Sequence, residues 1–233
     1  MDETAYQDDY VAALFDRMGP TYDVVNLLSS FGFSSIWRRV CVRNAGVREG
    51  AAVCDLMSGS GECWSFVPRS AASLVSIDFS TTMVSRQNAR GARTGRRVRV
   101  MKENALQTSI PSSSIDCLYS AFGLKTLNRP AIERFAFEIH RILKPGARFS
   151  LLEISTANEW LLGPFYRWYV SSVIPWVGRV CLGDIECYRM LGTYTEAFGS
   201  CHRVLQLFLE AGLEVEVQSH FFGCATSLVG RKP

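Results

Sequence analysis

With 233 residues, 48% of them hydrophobic and 20% charged, the chain can bury one full core and is too apolar for a disordered or purely solvated polypeptide. A net charge of +3 makes no case for a nucleic-acid or membrane-surface protein. The eight cysteines form no Cys-x-x-Cys pair, and several fall inside apolar runs, which favours buried reduced thiols over a disulfide framework.

His140, His202 and His220 do not stand at ligand spacing to those cysteines, so no metal site is expected. Asp2, Glu3, Asp8 and Asp9 argue against a secretory or transit segment, and the expected location is cytoplasmic, with peripheral membrane contact as the variant.

Residues 4–40 read as helical. Tyr10, Leu14, Phe15 and Met18 recur at helical spacing, and Gly19-Pro20 stops that helix. Strand and helix then alternate. An apolar run over 51–56 is followed by Met57-Ser58-Gly59-Ser60-Gly61, a tight turn from which a helix is expected to leave. Residues 74–77 form a short apolar strand ending at Asp78, and Ser80 caps a helix to about Gly91. Strands follow at 98–101 and 115–121. Pro130 opens a helix with Ile132, Phe135, Ile139, Ile142 and Leu143 on one face, ended by Lys144-Pro145-Gly146. A fifth strand covers 149–154. This order predicts an α/β fold, a parallel sheet with helices on both faces and ligands at the carboxyl ends of its strands.

Residues 156–200 break the pattern and are rich in aromatics. Residues 160–182 are apolar enough to consider a membrane span. Arg167 and Arg179 oppose one, since a central arginine costs about 2.5–3.5 kcal/mol on insertion. The segment reads as an insertion of broken helices, either simple packing or a lid over a greasy substrate. A helix over 203–211 and strands at 213–218 and 225–229 close the chain as a hairpin on the sheet. The expected organisation is one domain: a helical cap (1–45), a cofactor-binding core (46–155), the aromatic insertion (156–200) and a C-terminal helix and hairpin (201–233).

A dinucleotide turn needs Gly-x-Gly-x-x-Gly, and Trp64 stands where the third glycine belongs. The alternative is a cofactor without pyrophosphate, gripped by carboxylates: S-adenosylmethionine. Asp55 would meet its methionine part, Asp78 its ribose hydroxyls, and Asn104-Ala105 its adenine edge.

Several segments together resemble the ubiquinone/menaquinone C-methyltransferase family of class I methyltransferases. They are YDVVNLLSSFG…W (22–37), DLMSGSGE (55–62), AFGLKTL (121–127), RILKPGA (141–147) and GDIECYRMLGTY (183–194). The resemblance implies a Rossmann-like fold with a mostly parallel seven-stranded sheet and a C-terminal antiparallel hairpin. It implies cofactor contacts at Tyr22, at the loop carrying Gly59, Ser60 and Gly61, and at Asp78, Asn104, Ala105 and Ala121. The chain departs from the family pattern at Met57, Ser58, Ala121, Lys125 and Thr126.

The expected reaction is methyl transfer to a hydrophobic small molecule, a quinol or phenol ring. A polyketide, terpenoid or alkaloid of secondary metabolism is the alternative, as is a protein that keeps the fold without methylating. Lys125, Tyr188 and His220 are the candidate catalytic side chains. A second copy of the chain and a membrane surface are carried as candidate partners. Arg86, Arg90, Arg93, Arg96, Arg97, Arg99 and Lys102 form a basic run, but no aromatics interleave it for base stacking, so nucleic acid is not expected.

Overall fold

The computed structural model describes residues 3–19, 30–157, 161, 163–173, 176 and 185–233. Seven strands form one sheet: β1 (Ala52–Leu56), β2 (Ser73–Asp78), β3 (Arg99–Lys102), β4 (Ile115–Ala121), β5 (Leu143–Ile154), β6 (Glu214–His220) and β7 (Ala225–Arg231). Their order is β3-β2-β1-β4-β5-β7-β6. The first five run parallel, and β7 is antiparallel to both neighbours. The winding reverses between β1 and β4, which opens a crevice at their carboxyl ends.

The central strands are apolar because both faces are covered. Cys54, Leu56 and Leu118 belong to one core cluster, and Val53, Cys117 and Tyr119 to the opposite one, as the two-residue period of a strand requires. The first cluster is completed by α4 (Arg129–Ile142) through Phe135 and Ile139, and by α7 (Leu205–Glu210) through Phe208. The second is completed by α2 (Phe33–Asn44) through Trp37 and Cys41. A third joins α1 (Asp8–Met18), α3 (Thr81–Thr94) and α6 (Ile185–Phe198) through Leu14, Met18, Met83 and Tyr188.

Ser80 caps its helix as expected, and Asn128, one residue before the start of α4, caps the other. Ser80 Oγ accepts from Met83 N at 3.1 Å, and Asn128 Oδ1 accepts from Ala131 N at 3.0 Å. The seven described cysteines are free and buried; Cys181 lies outside the described residues.

Two expectations fail. No α-helix leaves Gly61; a five-residue 3-10 turn (Glu62–Phe66) takes its place and ends at Val67. The chain turns extended at Val67, directly before Pro68, where a helical conformation is disfavoured; within the turn the buried Trp64 ring lies against Gly61, so that a Cβ on Gly61 would stand 2.6 Å from Trp64 Cε2. Gly61 also has φ +77°. Gly61→Ala is therefore expected to cost about 2–4 kcal/mol in urea unfolding, combining the left-handed penalty with overpacking; a loss under about 1 kcal/mol would mean the indole yields freely. The second failure is local. Lys144-Pro145-Gly146 lies within β5, where the pairing jumps from Ile115↔Leu143 to Cys117↔Arg148. The turn bulges out there, and Gly146 N bonds Lys232 O at 2.8 Å.

Three of the seven residues of the basic run are spent on the protein's own carbonyls. Arg86 donates to Gly19 O, Arg90 Nε to Ser60 O at 2.7 Å, and Arg96 to Trp64 O and Pro68 O at 2.7 and 3.0 Å. Of the aromatic insertion, α5 (Gly163–Trp168), a π-helical turn (Tyr169–Val173) and α6 are described. Among the described residues no helix is long and apolar enough to cross a membrane.

Candidate active site

The crevice at the carboxyl ends of β1, β2 and β4 holds two adjoining cavities open to solvent, whose free space, solvent at their mouths included, is about 580 and 410 Å³. Met57, Asp78, Phe79 and Thr126 line both. The larger runs from this shared wall to Arg38, Asp55, Gly59 and Phe122, the smaller to Asn104, Ala105, Tyr6 and Asp8.

The loop after β1 is pinned from two sides. Asp78 Oδ2 accepts from Gly59 N at 2.8 Å, and its other oxygen accepts from Ser80 N at 3.0 Å. From α3, the buried Gln87 donates to Ser58 Oγ at 2.8 Å and to Gly59 O at 2.6 Å. Gly59 itself has φ +55° and nothing within 4 Å of where a Cβ would stand, so bare backbone faces open space.

Three carboxylates and one guanidinium give the larger cavity its electrostatics. Asp55 is buried, its Oδ2 has no hydrogen-bond partner, and burial pushes its carboxyl well above the usual range, partly offset by the Tyr119 hydroxyl and Trp64 indole nearby. Burial raises Asp78 to about 6 against the backbone N–H groups of Ser80, Gly59 and Phe79. Arg38, also buried, holds Glu62 at 2.5 Å and lies 4.7 Å above the Phe122 ring. An orphaned carboxyl oxygen beside a guanidinium suits a ligand carrying both an ammonium and a carboxylate.

In the smaller cavity Asn104 Nδ2 donates to Asp8 Oδ2 at 2.7 Å, and its Oδ1 accepts from Leu106 N at 2.9 Å. The side chain is committed to holding the loop, while Ala105 lines the cavity beside it.

Of the residues expected to contact cofactor, Asp55, Gly59, Asp78 and Ala121 line the larger cavity, and Asp78, Asn104 and Ala105 the smaller. Ser60 and Gly61 lie behind the loop and line neither; Ser60 is buried, with Arg90 on its carbonyl. Tyr22 falls outside the described residues.

The candidate catalytic side chains line neither cavity. Lys125 is buried and directed to Glu153 Oε1 at 2.6 Å and Phe122 O at 3.2 Å. Tyr188 is buried in the cluster between α1 and α6. His220 pairs with Ser227 Oγ at 2.8 Å on the outer hairpin, where burial lowers its pKa.

Sequence reasoning missed Arg38, Gln87 and Glu153. Gln87 carried a readable signal: it falls one helical turn after Met83 on the inward face of α3. Among the described residues no His, Cys, Asp and Glu side chains gather as metal ligands would.

Comparison with known proteins agrees with this geometry. The chain is 30% identical to a demethylmenaquinone methyltransferase of Lactiplantibacillus plantarum over 229 residues, 95% of each chain. It is 30% identical to one of Thermus thermophilus over 222 residues, 94% of this chain and 100% of the relative. Its fold is that of S-adenosylmethionine-dependent methyltransferases. One from Aquifex aeolicus superposes with a TM-score of 0.63 at 17% identity, covering 91% of this chain and 98% of the other. The model of the ubiE/COQ5 methyltransferase family matches residues 3–232, and the chain belongs to that family.

Proposed function

We propose that the chain methylates a ring carbon of a demethylated quinol, with S-adenosylmethionine held across the two cavities. The observation that carries this reading is the charge pattern of the larger cavity: the unpartnered oxygen of Asp55 and the buried guanidinium of Arg38. In this assignment Asp55 takes the ammonium of the cofactor's amino-acid part and Arg38 its carboxylate. Asp78 takes the ribose hydroxyls. Asn104 holds the loop against which the adenine lies, and Ala105 forms that wall.

The cofactor, when bound, supplies an electrophilic methyl group. The protein's own contribution is alignment and exclusion of water, which can supply about 7–11 kcal/mol of a bimolecular barrier. Family membership supports the quinol ring, since relatives across this length are named for demethylmenaquinone and for ubiquinone/menaquinone C-methylation. An apolar approach supports it too. Phe221 and Phe222 are exposed beyond β6, Phe221 lies 4.7 Å from Phe33, and Phe33 lies 5.7 Å from Trp37, next to Arg38 on α2.

The test pairs calorimetric titration of the purified chain with S-adenosylmethionine and methyl transfer from labelled cofactor to a demethylated naphthoquinol. Binding in the micromolar range, with label recovered on a ring carbon, is the expected result. Absence of binding would end the cofactor assignment. Binding with label transferred only to other phenolic rings would end the quinol assignment.

A further inference from the structure

Met57 is the residue of the loop that the cofactor assignment leaves without a role. It is a non-glycine residue held at φ +51°, half-buried, and packed onto the core. Its side chain fills the space over Gly123. A Cβ built on Gly123 would meet Met57 Cβ at 2.8 Å, Sδ at 2.9 Å and Cε at 3.0 Å. Met57 also borders both cavities, together with Asp78, Phe79 and Thr126. A ligand that reaches from Asp55 to Asn104 crosses the wall that Met57 shares between the two cavities; a ligand confined to the Asn104 end does not.

We propose that Met57 is a partition between the two half-sites, sets the affinity for a ligand spanning both, and is held in place by the missing side chain of Gly123. The inference rests on the cofactor reading above, because it needs one ligand to occupy both cavities. A methionine suits the position: unbranched and flexible, it can swing away without a backbone change, giving up its packing on Gly123 and on the core. The partition therefore weakens a spanning ligand by the work of displacing the thioether. It leaves a half-site ligand alone.

The experiment measures affinity for S-adenosylhomocysteine, which spans, and for adenosine, which occupies one half, in the wild type, Met57→Ala, Gly123→Ala and the double variant. Alanine keeps the same left-handed backbone preference as methionine, so strain is unchanged. Met57→Ala is expected to bind S-adenosylhomocysteine about tenfold more tightly, with adenosine within about twofold of wild type. Gly123→Ala crowds the thioether toward the shared wall and is expected to weaken S-adenosylhomocysteine by about tenfold; the double variant regains that loss only in part, because Met57→Ala keeps the Cβ that stands 2.8 Å from the new one. Thermal unfolding of each variant reports folding, and should the Gly123 variant not fold, Met57→Ala decides alone. An S-adenosylhomocysteine affinity unchanged or weakened in Met57→Ala overturns the inference, as does an equal gain for adenosine. A wild-type chain that binds neither ligand overturns the cofactor reading itself, and the partition with it.

Discussion

Lys125→Met is expected to destabilise the chain by about 3–5 kcal/mol, the cost of leaving one partner of a buried ion pair uncompensated. The pair is enclosed: Glu153 is fully buried and Lys125 nearly so, with Nζ 2.6 Å from Oε1. Glu153 also accepts from the backbone N–H of Lys125 at 3.0 Å and of Ile154 at 2.8 Å. Those two bonds survive the substitution, but the carboxylate loses the ammonium that faces it in a site without solvent. For a chain of this size the loss corresponds to a drop of about 10 °C in Tm. Glu153→Gln should cost a similar amount, because it strands the ammonium.

The double variant is the informative one. With both charges gone, an amide oxygen at 153 still accepts a backbone N–H, and the pair becomes neutral and apolar at 125. It should be about 1–3 kcal/mol more stable than the sum of the single changes predicts, the sign of a direct coupling. Urea unfolding with unchanged m-values measures all four corners. Single losses below about 1 kcal/mol would show that the pair contributes no more than a surface ion pair. A loss of cofactor affinity should accompany Lys125→Met, since Lys125 Nζ also donates to Phe122 O at 3.2 Å and so ties the ion pair to the segment carrying Phe122, Gly123 and Thr126 into the cavity wall.

The same pair shows where sequence reasoning stops. Lys125 reads as a cation at the mouth of the fourth strand, and in sequence nothing ties it to a glutamate 28 residues away on β5. Arg38 and Glu62 are 24 residues apart and equally opaque. Side-chain direction within a connection is set by partners that only the sheet order brings together. The strands were legible for the opposite reason. A parallel strand covered on both faces must be a short continuous apolar run, so 115–121 is found to the residue and 51–56 to within one. Asp55 and Asp78 were legible because each closes such a run, and a strand's carboxyl end is where a crevice opens. The helix expected after Gly61 failed on local backbone: Val67 turns extended ahead of Pro68, which leaves room for one 3-10 turn only.

Through Asp78, cofactor affinity and folding stability are expected to be pushed in opposite directions as pH falls through 6. Its carboxyl titrates at about 6 because burial disfavours the charge more strongly than the N–H groups of Ser80, Gly59 and Phe79 favour it. In the unfolded chain an aspartate titrates near 3.9. Between those values the native state holds a proton that the unfolded state has released, so this group's contribution to stability falls as pH rises from about 4 to 6 and is constant above. Two pH units amount to about 3 kcal/mol. Asp16, Asp116, Glu138, His140 and His220, whose pKa values are lowered, act with the opposite sign and Asp55, raised by burial, with the same sign, so the Asp78 part is read as the difference between wild type and Asp78→Asn. Binding follows the other form. Under the proposed assignment, ribose hydroxyls donate to the charged carboxylate, and protonation also removes an acceptor from Gly59 N or Ser80 N. The Asp78 contribution to affinity for S-adenosylhomocysteine should therefore hold from pH 8 to about 6.5 and weaken toward tenfold per unit below 6, on top of whatever the raised Asp55 carboxyl contributes in both proteins. Asp78→Asn should bind at least tenfold more weakly at pH 7.5 and lose that part of the pH dependence. Calorimetry from pH 5 to 8, alongside urea unfolding in the same buffers, measures both slopes. A wild-type affinity that is flat between pH 5 and 7 would remove Asp78 from the cofactor's contacts, and the smaller cavity would lose the carboxylate it shares with the larger one.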